Sequence, residues 1–98
     1  MATSKEEMNQ ILEKLEPIGD FTVHPMMGEF LLYYNGILVG GVYNKRLLIK
    51  KSDSNENCGL PEEIPYNTAK RTMYHIANFD NLEQIQTIIT NAYNDLKK

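Results

Sequence analysis

Residues 25–50 contain the pattern that decides the fold, and they read PMMGEFLLYYNGILVGGVYNKRLLIK. Residues 30–34 are expected to alternate between two faces, as the side chains of a β-strand do. The Asn35-Gly36 pair that follows favours a type I′ hairpin turn, because both residues tolerate a positive φ. Asn44-Lys45 is expected to turn the chain a second time. The stretch therefore predicts an antiparallel meander of three strands, at residues 30–34, 37–43 and 46–50.

Two more strands are expected to flank this meander. Phe21 and Val23 alternate with polar residues, which predicts a short half-buried strand that ends at Pro25, with residues 25–28 forming the turn. Residues 71–77 alternate in the same way and predict the last strand. Residues 51–70 are rich in Ser, Asp, Asn and Pro, so we expect a surface excursion there, with one short helical turn near residues 54–58.

Two amphipathic helices are predicted at the ends of the chain. Ser4 and Glu7 have the spacing of a capping box, and an apolar face follows over residues 4–16 until Pro17 and Gly19 end it. Asp80 and Glu83 repeat that spacing ahead of a closing helix that is expected to run nearly to the end of the chain. Its apolar face is Leu82, Ile85, Ile89, Ala92, Tyr93 and Leu96.

These elements predict a two-layer α+β fold, an antiparallel sheet of about five strands with the N- and C-terminal helices packed on it. The middle strands are apolar on both faces: Leu31 and Tyr33 point away from the face that carries Phe30 and Leu32. An antiparallel sheet with one wet face alternates more cleanly than this. The second face is therefore expected to be covered, either by a partner subunit or by the long loop folding over a bent sheet.

Composition bounds the function. The chain has 98 residues, which we assign to a single domain spanning residues 1–98, and a net charge of −3. Proteins that bind nucleic acid directly usually carry a basic excess, so we do not expect direct binding to nucleic acid. No apolar run is long enough for a membrane helix, and the acidic N-terminus does not fit a secretory signal. One cysteine allows no internal disulfide, and the cytoplasm is the expected compartment.

Two sets of residues can be assembled into a chemical site, and neither carries a recognised signature. Cys58 with His75 and either Asp53 or Glu56 has the composition of a nucleophile with its base, but the cysteine lies in a polar loop. His24, Met26 and Met27 offer soft metal ligands, but adjacent methionines diverge on a strand, and packing in a turn is the simpler role. We assign no catalytic, metal or cofactor-binding residue, and we expect no cofactor.

Two surfaces remain as candidates for contact with a partner. Basic residues cluster if the strands at 46–50 and 71–77 are neighbours; they are Lys45, Arg46, Lys50, Lys51, Lys70 and Arg71. Tyrosines on the predicted strands can form an aromatic surface, or they can serve packing. Gly40-Gly41 inside a strand indicates a β-bulge or the close approach of a helix. The candidate interaction surface is Met26, Met27, Leu31, Tyr33 and Tyr43.

Several of these segments resemble, in wording and order, the N-terminal domain of the bacterial TfoX/Sxy competence-regulator family. The resemblance covers nearly the whole chain, and its segments are Pro25-Met26-Met27-Gly28-Glu29, Leu32-Tyr33-Tyr34-Asn35-Gly36, Val39-Gly40-Gly41-Val42, Arg46-Leu47-Leu48-Ile49-Lys50 and Pro65-Tyr66-Asn67-Thr68-Ala69-Lys70. It implies a two-layer α+β fold similar to type III secretion chaperones. Longer members carry a second, C-terminal domain and are associated with switching on DNA-uptake genes alongside other transcription factors; this chain ends before such a domain.

The function we expect is that of a small non-catalytic cytoplasmic module that acts by protein–protein interaction. A homodimer is one arrangement that would cover the second face of the sheet, and regulation of competence or transcription is what the resemblance implies. The alternative is a small-molecule-binding protein, or a minor enzyme, that uses the tyrosine-rich sheet face with residues 51–70 as a lid.

Overall fold

A computed structural model describes residues 3–66 and 69–97 of the chain. Asn67 and Thr68, which belong to the last of the segments quoted above, lie outside the described residues. The elements follow one another as α1 (Lys5–Leu15), β1 (Phe21–Met26), β2 (Glu29–Tyr34), β3 (Ile37–Tyr43), β4 (Arg46–Ile49), a 3₁₀ turn (Asp53–Asn55), β5 (Glu62–Glu63), β6 (Met73–Ile76) and α2 (Leu82–Leu96).

All six strands form one antiparallel sheet in the order β1-β2-β3-β4-β6-β5. The two turns predicted inside the meander are confirmed, because Asn35 and Gly36 have φ angles of 51° and 85°, and Asn44 and Lys45 have φ angles of 52° and 67°. Positive φ at both central positions is the signature of the type I′ turn, whose twist matches that of the strands it joins.

The first strand is longer than predicted. β1 continues through Pro25 to Met26, and the turn consists of Met27 and Gly28, which both have positive φ. The backbone N–H of Asn35 donates to the carbonyl of Asp20, so these two residues form a hydrogen-bonded pair. Hydrogen-bonded and non-hydrogen-bonded pairs alternate along an antiparallel ladder, and by this alternation Pro25 and Phe30 form a pair without hydrogen bonds. The backbone position of Pro25 therefore faces the free edge of the sheet, where no N–H donor is needed and a proline is tolerated.

The predicted capping box of α1 is present. The backbone N–H of Glu7 donates to Ser4 Oγ at 3.1 Å, and the backbone N–H of Ser4 donates to Glu7 Oε1 at 2.9 Å. The start of α2 differs from the prediction, because Asn81 caps the helix by accepting from the N–H of Gln84. The Asp80–Glu83 spacing is therefore not the cap.

Both helices pack on one face of the sheet, which confirms the two-layer α+β fold. Their buried residues and the inward residues of the strands form one core, whose fully buried members include Leu15, Leu32, Val39, Ile49, Ile89 and Ala92. A sixth strand, β5, was not predicted. It is only two residues long, and its charged sequence carries no strand pattern.

The 3₁₀ turn is fastened to α2 by Asn55, a buried polar side chain that the sequence analysis did not single out. Asn55 Nδ2 donates to the carbonyl of Ile88 at 2.8 Å, and Asn55 Oδ1 accepts from Asn91 Nδ2 at 3.1 Å. This turn falls at the start of the helical turn predicted near residues 54–58.

β2 and β3 change register between Gly40, which lies opposite Leu32, and Leu38, which lies opposite Tyr33, so the predicted β-bulge is next to Gly40 and Val39 is its extra residue. The element that approaches Gly40 and Gly41 closely is a neighbouring strand, not a helix. A side chain on Gly40 would collide with the backbone of Leu48 and Ile49 in β4, and one on Gly41 would come within 2.6 Å of the carbonyl oxygen of Phe30 in β2.

Candidate functional site

The second face of the sheet, turned away from the helices, carries a row of residues in register. Leu31, Gly41, Leu48 and His75 lie side by side on β2, β3, β4 and β6. Leu48 is completely buried although both helices pack on the opposite face. Another part of the same chain must therefore cover the centre of this face.

The cover includes Ile64 and Pro65, which follow β5 and which Arg46 holds in place. Its guanidinium donates to Glu63 Oε1 at 2.6 Å and to the carbonyls of Ile64 and Pro65 at 3.1 and 3.4 Å. Pro65 is buried as a result. The long loop thus folds over part of the second face, which is one of the two arrangements expected from the sequence.

Tyr66 continues this cover. Its ring centroid lies 6.2 Å from that of Tyr43, and Tyr43 retains only 6% of its surface. Burial raises the pKa of the Tyr43 hydroxyl above its ordinary value. Tyr66 itself is 53% exposed, so one ring is packed beneath and the other is open to contact.

Beside this cover the second face has an open groove of about 1120 Å³. Its walls are the sheet on one side and residues 65–66 and 69–73 on the other. The apolar and small residues that line it are Met26, Leu31, Leu38, Gly40, Tyr43, Pro65, Tyr66, Ala69 and Met73. We call this site the second-face groove.

The charges on the second-face groove are all positive. Lys50, Lys51, Lys70 and Arg71 line it, and no Asp or Glu among the described residues does. Lys51 is held by Glu62 at 2.8 Å, and this contact raises the pKa of the lysine. Across residues 3–66 and 69–97, no ion pair engages the other three.

The predicted basic cluster is therefore divided. β4 and β6 are neighbours, as that prediction required. However, Lys45 pairs with Glu7 and Arg46 pairs with Glu63, so these two residues join parts of the fold. Lys50, Lys70 and Arg71 carry the positive charge of the groove.

The five residues of the predicted interaction surface are placed differently. Met26, Leu31 and Tyr43 line the second-face groove. Met27 lies at the tip of the β1–β2 hairpin and is 97% exposed. Tyr33 is on the same face, but its ring packs edge-on against His24 at 4.9 Å, and it does not line the groove.

Other residues of the groove were missed by sequence reasoning, notably Leu38, Met73 and Tyr66. Leu38 and Met73 belong to predicted strands, so their strand period was visible. The face of Leu38 depends on the bulge in β3, and that of Met73 on the pairing of β6 with β4. Tyr66 stands in a segment without periodicity, and only its neighbour Pro65 signalled a change of direction.

The candidate catalytic residues Cys58 and His75 do not lie together. Cys58 packs against the core on the helix side of the sheet, whereas His75 lies on the second face, where its Nδ1 is 2.5 Å from Glu63 Oε2. Glu63 bridges His75 and Arg46, and the hydrogen bond from Arg46, followed by that from His75, lowers the pKa of this carboxyl. The cluster joins β4, β5 and β6, which is a structural role.

The methionine-containing metal set is not assembled either. Met27 occupies the turn after β1, and the ring of His24 is engaged with Tyr33. In the part of the chain that the structure describes, no three His, Cys, Asp or Glu side chains are grouped so that they can hold a metal ion.

Neither helix formed by the described residues has the length and apolar character needed to cross a membrane. No model of a known protein family matches the chain. No curated protein matches it either. The candidate site therefore rests on the geometry of the second-face groove.

Proposed function

We propose that this chain is a non-catalytic module that acts by binding another protein through the second-face groove. One observation carries the proposal: the large apolar side chains that remain exposed among the described residues gather around this site. They are Met26, Met27, Ile64 and Tyr66. Met26 and Tyr66 line the groove, Met27 follows Met26 directly, and Ile64 lies two residues before Tyr66. Grouped exposed apolar side chains mark contact surfaces more often than scattered ones do.

The edges of the sheet are less suited to a partner. Pro25 removes a backbone donor from the free edge of β1, and β5 at the other edge consists of two glutamates. Prolines, charges and short strands at an edge oppose pairing with another strand. The open side-chain surface of the second face is the better contact area.

The resemblance to the TfoX/Sxy N-terminal domain supports a more specific proposal. A module of this kind would bind a transcription factor, or a second copy of itself, in the cytoplasm, and would thereby take part in regulating competence or other gene expression.

Photo-crosslinking tests the proposal directly. A photoreactive phenylalanine analogue would replace Tyr66 in one variant and Gln10, on the exposed side of α1, in the control. In cells that naturally produce this protein, we expect the Tyr66 variant to crosslink to one specific protein and the Gln10 variant to show no such crosslink. Adding Met26→Asp to the Tyr66 variant should reduce the yield.

Equal crosslinking from both positions, or none from Tyr66, would contradict binding through the second-face groove. Mass spectrometry of the crosslinked product identifies the partner. A product made of two copies of the chain would identify the homodimer as the assembled form.

A second candidate is a small-molecule-binding protein. It is favoured by the pairing of Tyr43 and Tyr66 beside a groove whose volume is slightly above the roughly 300–1,000 Å³ typical of small-molecule sites. Thermal-shift screening against metabolites tests it. Reproducible stabilisation that Tyr66→Ser abolishes would support this function, and silence across the screen would remove it.

A further inference from the structure

The second-face groove differs in charge from the rest of the molecule. The chain has a net charge of −3, with 10 basic and 13 acidic residues. Four of those basic residues nevertheless line this one groove, and no described acidic residue does. A positive site on an acidic protein favours a negatively charged partner, and it repels the same positive groove of a second copy in a symmetric dimer.

We infer that the occupant of the second-face groove is a short linear segment of a partner protein that combines acidic with apolar residues. The inference rests on the proposed function and specifies the partner's chemistry. The apolar lining of Leu31, Leu38 and Met73 takes the apolar side chains of the segment. The carboxylates of the segment face Lys50, Lys70 and Arg71.

The three unpaired basic residues matter more than the fourth. Lys51 already has a carboxylate partner in Glu62, so a ligand would have to compete for it. Within the described residues, Lys50, Lys70 and Arg71 have no such partner. Lys70 and Arg71 are also exposed, which leaves them free to meet an incoming charge.

The same charges suit a nucleic acid less well. Proteins that bind single strands stack bases on exposed aromatic rings. Here Tyr66 is the single exposed ring among the described lining residues, Tyr43 beneath it is 6% exposed, and leucine and methionine side chains make up the rest of the floor. Aliphatic side chains pack against apolar amino-acid side chains and offer no plane for a base.

Fluorescence anisotropy with three labelled peptides of equal length tests the inference. One alternates Leu with Glu, one Leu with Gln, and one Leu with Lys. We expect the acidic peptide to bind at least about tenfold more tightly than the neutral one, with a preference that weakens as salt is added. The basic peptide should not bind.

A charge-reversed variant makes the test specific. Lys70→Glu with Arg71→Glu should abolish the preference for the acidic peptide, because Lys50 and Lys51 are then balanced by two introduced carboxylates. The matched control is Lys5→Glu with Lys14→Glu on α1, which changes the net charge equally on the other layer and should keep the acidic preference. Circular dichroism confirms that each variant is folded.

Each outcome decides the inference. Equal binding of the acidic and neutral peptides, or tighter binding of a labelled oligothymidine, overturns it. Failure of every peptide to bind the unaltered chain overturns it as well. The crosslinking from Tyr66 is independent of these peptides, so a partner captured there would retain the proposed function when the acidic segment is ruled out.

Discussion

At Gly40 the neighbouring strand is too close to admit a side chain. An added Cβ would meet the carbonyl oxygen of Leu48 and lie 2.9 Å from the Cα of Ile49, and both belong to a backbone that is fixed in the sheet. We expect Gly40→Ala to lower the free energy of unfolding by about 2 kcal/mol, because overpacking forces the strands apart. Urea unfolding measures the change.

Gly19→Ala is the matched control for that substitution. There the added Cβ would lie 2.9 Å from the ring of Tyr34, which is a side chain able to shift. The free energy of unfolding of this control should fall by less than half of the decrease expected for Gly40→Ala. A loss at Gly40 no larger than that at Gly19 would show that β3 and β4 can separate without cost.

Asn55 is the second position at which the structure requires one particular side chain. It is 2% exposed, and its Nδ2 is the donor to the carbonyl of Ile88. A carboxylate cannot donate there, so we expect Asn55→Asp to destabilise the chain by about 2–3 kcal/mol at neutral pH. The loss should shrink in acid, where a protonated Asp can donate.

Asn57→Asp, an exposed change in the same loop, provides the comparison. Urea midpoints of both variants across a pH series test the prediction. A deficit of Asn55→Asp that stays constant with pH would mean that the amide donor is unimportant.

Among the elements, β1 shows how an edge strand remains unpaired. Its outward backbone groups belong to Phe21, Val23 and Pro25, and the proline supplies only a carbonyl. Replacing Pro25 with Thr adds an outward N–H in a residue that favours strands. We therefore expect Pro25→Thr to increase concentration-dependent self-association, measured by light scattering.

Pro17→Thr, in the exposed segment after α1, serves as the control and should leave the mass unchanged. If the mass of Pro25→Thr equals that of the unaltered chain over the whole concentration range, the proline has no protective role at this edge.

On the scale of the whole molecule, carboxylates tie together segments that are distant in sequence. Glu62 binds Lys51 and Thr72, and Glu63 binds Arg46 and His75. Hydrogen bonds from Lys51 and from Arg46 are the largest causes that lower the pKa values of Glu62 and Glu63 respectively. Both groups are thereby easier to ionise in the folded chain than in the unfolded chain.

A carboxyl whose pKa is lowered by folding stabilises the fold above its unfolded pKa, and this stabilisation is lost as the pH falls. We therefore expect the urea midpoint to decline below about pH 4.3, the ordinary value for glutamate. The double variant Glu62→Gln with Glu63→Gln should be less stable at neutral pH and should show a shallower decline.

Glu13→Gln with Glu16→Gln, at exposed positions on the opposite layer, gives the control. Its decline should match that of the unaltered chain. If the urea midpoint of the Glu62 and Glu63 double variant declines with pH as steeply as that of the unaltered chain, acid destabilises the fold through other groups.

Much of this fold could be read from local patterns. The capping box of Ser4 and Glu7 and the turn at Asn35-Gly36 each depend on residues within four positions of one another, so they are visible in the sequence. β5 could not be recognised, because two glutamates carry no period and pair only with a strand that follows 10 residues later. The cap of α2 was misplaced by one residue because Asp80 and Asn81 are both good caps.

The sequence by itself determined the order of the helices and strands, the hairpin turns and the two apolar faces of the sheet, because backbone preference and side-chain period act between near neighbours. Only the tertiary structure decided that Pro65 and Tyr66 lie over part of the second face and that a basic groove remains open beside them. That arrangement depends on Arg46 reaching Glu63, Ile64 and Pro65, across 17 to 19 residues of chain. No local pattern encodes a contact over that separation, because the partners of Arg46 come together only through the three-dimensional arrangement of β4 and β5.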